Sequence, residues 1–302
     1  MTKGAAWVVG TFDTKGDELH FIAQRLREQA VAVRTADVSI SGRTVEGVDI
    51  AAAEIAAQGA GGAAAVFTGD RATAVRAMAD ALGRFLCARD DVAGVITAGG
   101  SGAAALVSPA MQRLPIGLPK LIVTTLASGD VSLFVGSSDI AMLYPVVDVS
   151  GLNSISRQVL ANAAHAMAGM VRAWQPPRAE NKPAIGLSMF GVTTPCVQGV
   201  TQALQGDFEC LVFHATGTGG RSLEKLADEG RLAALVDLTT TEIADLLCGG
   251  VLSAGDGRLG AATRRSLPYV GSCGALDMVN FWARERCRRS SPSGAFTCTT
   301  PT

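Results

Sequence analysis

The chain runs to 302 residues, 48% of them hydrophobic and 18% charged, with a formal net charge of −1. A balance so near neutral excludes a broad nucleic-acid or anionic-membrane surface, either of which needs a basic excess. No apolar run reaches the ~18 residues of a membrane span and no basic-then-apolar leader opens the chain, so a cytoplasmic protein with no membrane partner is expected.

Ala5–Val9 is the short apolar run that a fully buried parallel strand needs. It stops at Gly10, polar residues follow through Gly16, and Leu19, Ile22, Leu26 and Ala30 then fall on one helical face. Strand, glycine-bounded turn and helix make the first half of a βαβ unit, and ligands of open α/β sheets bind beyond the carboxyl ends of the strands. The turn has the chemistry for phosphate. Gly10 and Gly16 let backbone N–H groups converge, Thr11 and Thr14 offer hydroxyls, and Lys15 adds a full positive charge. The helix N-terminus contributes roughly half a charge more. Asp13 would repel a phosphate unless Mg²⁺ lay between them; alternatively it accepts N–H bonds inside the turn. The stretch is neither a Walker nor a dinucleotide fingerprint, so an ordinary strand-to-helix turn remains the alternative.

The rhythm continues with strands expected at Val31–Val38, Ala63–Thr68, Val92–Ala98 and Lys120–Leu126. Helices are expected over Val48–Ala57 and from Arg71 to about Ala88. Gly99-Gly100-Ser101-Gly102 follows the fourth strand and Ala127-Ser128-Gly129-Asp130 the fifth. A long helical pattern reaches Trp174, and the proline-rich stretch 175–183 reads as a linker between domains. Strands then recur at Ala184–Phe190, Cys210–Ala215, Leu235–Leu238 and Tyr269–Cys273, with Pro195 suited to a first helical turn and Thr239-Thr240-Thr241 suited to capping a helix. The expectation is two doubly wound, Rossmann-like parallel-sheet α/β domains, 1–174 and 184–283, the second incomplete, with an aberrant tail at 284–302. The seven cysteines are scattered without a CxxC pair, which favours reduced thiols over a disulfide frame or zinc site. His214, Glu242 and Asp277 fall at strand-end loops of the second domain, where catalytic groups would face a cleft; histidine bonding to backbone and carboxylates in caps or turns are the alternatives.

Seven loops together resemble one family. They are Gly-Thr-Phe-Asp-Thr-Lys at 10–15, Gly-Gly-Ser-Gly at 99–102, Thr-Thr-Leu-Ala-Ser-Gly at 124–129, Asp-Val-Ser-Gly-Leu-Asn at 148–153, Phe-Gly-Val-Thr-Thr-Pro at 190–195, His-Ala-Thr-Gly-Thr-Gly-Gly at 214–220 and Gly-Ala-Leu-Asp-Met-Val-Asn-Phe at 274–281. The chain is similar in these to the tomato mosaic virus resistance type of ATP-binding domain. The resemblance implies a two-domain α/β protein that binds ATP on its N-terminal domain and self-associates. Its implied nucleotide residues are Gly10, Thr11, Asp13, Thr14 and Lys15, then Gly99, Gly100, Ser101 and Gly102, and finally Thr125, Ser128 and Gly129. An ATP-dependent reaction on a small metabolite, a nucleotide-sensing or interaction module, and a sugar-phosphate or other anion site all remain open.

The tail departs from that family, whose members resemble one another in continuing with a Val-His-Asn-Pro-type segment. Codons such as GCG-TTC-ACG-TGC-ACA-ACC-CCA-ACG for Ala295–Thr302, read from the third base, spell Val-His-Val-His-Asn-Pro-Asn. A frameshift between Ala283 and Ala295 that truncates the second domain is therefore expected, and DNA sequencing decides it.

Overall fold

The computed structural model describes residues 4–175 and 182–281. The chain divides into two compact units, Met1–Arg178 and Ala179–Thr302. Most of the expected linker and the expected frameshift and tail lie outside the described residues.

Unit 1 begins with β1 (Ala5–Gly10), whose six residues are all buried, and α1 (Phe12–Glu28). Next come β2 (Val33–Asp37), α2 (Ala52–Ala56), α3 (Gly62–Val66) and α4 (Arg71–Cys87). Then follow β3 (Val92–Ala98), α5 (Ser101–Arg113), β4 (Lys120–Val123), α6 (Ser132–Val135), β5 (Ala141–Leu143) and α7 (Ser154–Ala173). The sheet order is β2-β1-β3-β4-β5 and every pairing is parallel.

Alternation along the strands builds two cores. Ala6, Val8, Ile96 and Val123 pack with Leu19, Ile22 and Leu26 of α1 and with Leu160, Met167 and Val171 of α7. Trp7, Val9, Val95 and Ile122 face the other way, onto Ile55, Val66, Met78, Leu82 and Met111 of α2 to α5. A sheet covered on both faces can be apolar along its whole length, which is why these strands read as continuous hydrophobic runs. Two glycines set the spacing. A Cβ on Gly10 would meet Leu19 Cδ1 at 2.7 Å, and one on Gly94 would meet Val171 Cγ2 at 2.8 Å, so α1 and α7 lie directly on the backbone of β1 and β3.

Unit 2 repeats the pattern with β6 (Ala184–Met189), α8 (Thr194–Leu204), β7 (Glu209–His214), α9 (Thr218–Asp228), β8 (Ala234–Asp237), α10 (Thr241–Cys248), α11 (Gly260–Arg265) and β9 (Tyr269–Gly271). Its sheet is parallel in the order β7-β6-β8-β9. Pro195 stands in the first turn of α8, as the sequence suggests.

Four expectations need correction. Ala63–Thr68 is not a strand: Gly62–Val66 is helical, because three consecutive alanines favour a helix that Val66 anchors in the core. The polar turn after β1 is shorter than expected, since α1 already starts at Phe12 and bends at Lys15 (φ −127°, ψ 21°). Ala30 leaves that helix's buried face and takes a positive φ of 56° at its end. Finally, Thr240 and Thr241 do not cap α10; their hydroxyls donate to the carbonyls of Ser272 (3.2 Å) and Met278 (2.9 Å), tying α10 to the loop after β9.

Candidate functional site

In an order of β2-β1-β3-β4-β5 the chain direction across the sheet reverses between β1 and β3, and such a switch point opens a crevice at the carboxyl ends of the strands. The loops at 10–15 and 99–102 leave β1 and β3 and flank that crevice; the loop at 124–129 leaves the adjacent β4. The three glycine- and hydroxyl-bearing corners therefore share one rim of one sheet.

Their hydrogen bonding differentiates them. The buried Asp37, at the end of β2, accepts the Phe12 N–H at 3.1 Å, and Ser39 Oγ accepts the Asp13 N–H at 3.3 Å. The N-terminus of α1 is thus already met by protein groups. Asp13 does not turn inward onto backbone N–H groups; its Oδ1 lies 2.8 Å from Ser39 Oγ, whose one hydroxyl proton is shared between Asp13 and Asp37 Oδ1. Thr11 and Thr14 hydrogen-bond each other through their hydroxyls at 2.9 Å, while Lys15 lies half-buried at the bend. Burial raises the Asp37 carboxyl above the usual carboxylate range, against the pull of N–H and O–H donors from Ser39 and Phe12.

The second corner is different. Gly100 stands at the N-cap of the 13-residue α5, which has no side-chain cap hydrogen bond, and Ser101 and Gly102 form its first turn at the carboxyl end of β3. A Cβ on Gly102 would lie 3.0 Å from Arg71 Nη2, so a guanidinium stands beside this helix start. Arg71 opens α4 and also lines a cleft of about 440 Å³ with Ile40, Ser41, Phe67, Gly69, Asp70 and Ala74. Asp70 caps α4 by accepting the Thr73 N–H at 2.8 Å, and hydrogen bonding from Thr73 holds its carboxyl below the ordinary aspartate range. Sequence reasoning passes over Arg71 because its partner, the start of α5, lies some thirty positions on. In the third corner a 3₁₀ turn spans Thr125–Ser128; Ser128 spends its hydroxyl proton on the Thr125 carbonyl at 3.1 Å. Gly129 closes that turn by donating to Leu126.

In unit 2 the expected catalytic trio does not assemble. His214 ends β7 and Asp277 follows β9, strands at opposite edges of the sheet, and both residues are exposed. Glu242 is fully buried and structural. It accepts the N–H groups of Gly217 (2.7 Å) and Gly220 (3.0 Å) and pairs with Arg258 Nε at 2.7 Å. Arg258, itself 6% exposed, also donates to both oxygens of Asp237 at 2.6 and 2.8 Å. Ser188 donates a short hydrogen bond to Asp237, and the Thr193 and Thr239 hydroxyls meet at 2.6 Å, so the crevice between β6 and β8 is bridged by its own side chains. Burial pushes the Tyr269 hydroxyl, near Asp237, up to about 12. No group of three or more His, Cys, Asp or Glu gathers as a metal site among the described residues. Nor is any described helix long and apolar enough to cross a membrane.

These features define a two-unit parallel α/β protein whose first sheet gathers three glycine- and hydroxyl-bearing loops at the carboxyl ends of its strands. The chain belongs to the Uncharacterised protein family (UPF0261): the N-terminal domain of that description matches residues 5–176 and the C-terminal domain residues 182–294. It is 55% identical over 280 residues to a UPF0261 protein of Rhizobium meliloti, covering 92% of this chain and 70% of that one. It is 40% identical over 301 residues to the ToMV resistance protein Tm-1(GCR237) of Solanum lycopersicum, covering 90% of this chain but only 40% of the tomato protein. A Streptomyces glycosyltransferase solved with thymidine diphosphate aligns over 78% of this chain and 76% of its own at 14% identity, but a TM-score of 0.24 gives that likeness no weight.

Proposed function

We propose that unit 1 binds ATP at the β1/β3 switch point. The observation that carries this reading is the start of α5, without a side-chain cap, standing beside the Arg71 guanidinium at the rim where ligands of such sheets collect. The phosphates rest on the backbone of Gly99, Gly100, Ser101 and Gly102, with Arg71 on one side. Gly10, Thr11, Thr14 and Lys15 supply close approach, hydroxyls and charge from the neighbouring corner, and Thr125, Ser128 and Gly129 border the far side. The cleft between Ile40 and Phe67, at about 440 Å³, has the size of a small-molecule site and takes the nucleoside. Mg²⁺ suits this arrangement only as a phosphate-borne ion. Asp13, oriented by Ser39, offers it one carboxylate, and Mg²⁺ commonly takes one or two carboxylates plus substrate oxygens. In this reading the protein is cytoplasmic and self-associates. It acts either as an ATP-dependent enzyme on a small metabolite or as a nucleotide-sensing module, a choice that phosphate release or transfer in a cell extract decides. His214, Glu242 and Asp277 take no part.

One observation favours a second reading. Asp37 and Ser39 already occupy the first N–H groups of α1, so a single helix start faces the crevice, and one phosphate group, as on a sugar phosphate, would satisfy it. Calorimetric titration with ATP, ADP, AMP and ribose 5-phosphate, with and without Mg²⁺, separates the two. ATP with Mg²⁺ is expected to bind best, and Lys15→Ala or Arg71→Ala to weaken it about tenfold (~1.4 kcal/mol) with the fold intact. Equal binding of ribose 5-phosphate, or ATP affinity indifferent to both substitutions, overturns the ATP reading.

A further inference from the structure

Near the carboxyl end of β3 the fold keeps a polar group that it does not meet. Thr97 is fully buried, and its Oγ has no hydrogen-bond partner among the described residues. Alternation along the strand places it. Ile96 and Ala98 belong to the core with α1 and α7, whereas Val95 shares the other core with Ala104, Val107 and Met111 of α5. Thr97 therefore lies on the α5 side, just before Gly99 and beneath the turn from which α5 starts. A buried hydroxyl without a partner destabilises the state that contains it, and valine would fill the same space without that cost. A native fold that keeps such a group generally uses it elsewhere, as stored strain or in a functional state. The turn above Thr97 is free to rearrange. The peptide between Gly99 and Gly100 can turn over only if the residue after it accepts a positive φ, which glycine does at little steric cost. Gly100 has φ −78° and ψ −162° here, and a Cβ built on it meets nothing within 4 Å.

We propose that Thr97 is a positioning residue for the phosphate-bearing ligand at the start of α5, acting through a flip of the Gly99–Gly100 peptide. In the bound state the Gly99 carbonyl oxygen accepts the Thr97 hydroxyl proton. The C=O and N–H of a trans peptide point opposite ways, so the Gly100 N–H then turns away from the sheet and toward the phosphates. The free protein carries the unmet hydroxyl. The ligand favours the flipped turn, and the Thr97 hydrogen bond holds it there. This role rests on the ATP reading of the same rim and adds to it the side chain that sets the turn.

Variants of the full chain test this by calorimetric titration with ATP and Mg²⁺ and by thermal unfolding without ligand. Thr97→Val is expected to weaken ATP binding about tenfold and yet raise the unliganded unfolding temperature of unit 1 by about 2–4 °C, since it removes an unmet hydroxyl. Thr97→Ser, which keeps the hydroxyl, is expected to bind ATP as the parent chain does. Gly100→Ala suits the free turn but resists the flip, so it too should weaken ATP about tenfold without lowering the unfolding temperature. Combined with Thr97→Val it should bind no more weakly than either alone, because both remove the same step. A lower unfolding temperature for Thr97→Val overturns the proposal, since the hydroxyl would then have a partner in the free protein. Losses that add in the double variant also overturn it, because they separate Thr97 from the turn. So does ATP affinity untouched by Thr97→Val where Arg71→Ala still weakens it, and in that case the ATP reading survives. If Arg71→Ala and Thr97→Val are both without effect on ATP, the reading of the rim fails and the role of Thr97 with it.

Discussion

Asp37 and Arg258 show how differently two buried charges serve one architecture. Asp37 accepts hydrogen bonds from Phe12 and Ser39, yet burial still raises its carboxyl above the ordinary aspartate range. Between that ordinary value and the raised one the folded chain holds a proton that the unfolded chain releases. Stability therefore falls as pH rises through this window, and the charged form is a net burden above it. Asp37→Asn keeps an acceptor for Phe12 without the charge. It is expected to resist denaturant better at neutral pH, with the advantage closing in acid, as denaturant titrations at several pH values would show. Arg258 is the opposite case, because its charge is what makes Asp237 and Glu242 tolerable in the interior. Arg258→Met strands both carboxylates, and removing one partner of a buried pair typically costs about 3–5 kcal/mol. Loss of the unit 2 transition in circular dichroism is the expected result; an unchanged melting curve would show that the cluster is not structural.

At the scale of elements, legibility in the sequence followed how much of each environment is local. β1 and β3 were readable because both faces of a central parallel strand are covered, so apolar runs mark them directly. β5, three residues with Ala141 exposed, carries no such signature. The helix at Gly62–Val66 reads as a strand in the sequence because its short apolar run has strand length, while its alanines prefer a helix. The glycine corners were legible as a rim because parallel strands put every β-to-α loop at one edge. The division of labour between them was not: Asp37 reaches Phe12 across 25 positions, and Arg71 reaches Gly102 only through the packing of α4 beside α5. At the other end of the same sheet, the fully buried Lys120 ammonium at the start of β4 binds Asp139 Oδ1 at 2.7 Å and donates to the carbonyls of Pro115 and Leu118. Burial pushes the Asp139 carboxyl up, but Lys120 and the Gly117 N–H bring it below the ordinary aspartate range. With the folded value depressed, the ion pair's contribution is complete above the unfolded value and disappears as pH falls through the folded one. Lys120→Met, which also leaves two carbonyls unmet, should cost about 1–3 kcal/mol at neutral pH and less in strong acid. A penalty that does not shrink with acidification would assign the effect to the carbonyls alone.

For the whole molecule, the decisive property is that each unit has cores of its own. Trp7, Ile22 and Ile122 belong to cores built solely from unit 1, whereas Leu187, Leu223 and Leu235 belong to cores built solely from unit 2. The cores also differ in quality. In unit 1 both faces of the sheet are closed by helices, while in unit 2 Val212, Val236 and Val270 stay partly or largely open. Stability scales with the apolar surface removed from water, so unit 2 should unfold first, and a single two-state transition is not expected of a chain built this way. A ligand that binds only folded unit 1 then acts on one transition. At about 100 times its dissociation constant it adds about 2.7 kcal/mol to that unit, which moves the later calorimetric peak upward by several degrees and leaves the earlier one in place. ATP with Mg²⁺ is expected to produce this asymmetric shift, and Arg71→Ala to abolish most of it at the same concentration. A shift of the earlier peak instead would move the nucleotide to unit 2, and with it the chemistry assigned to the β1/β3 rim.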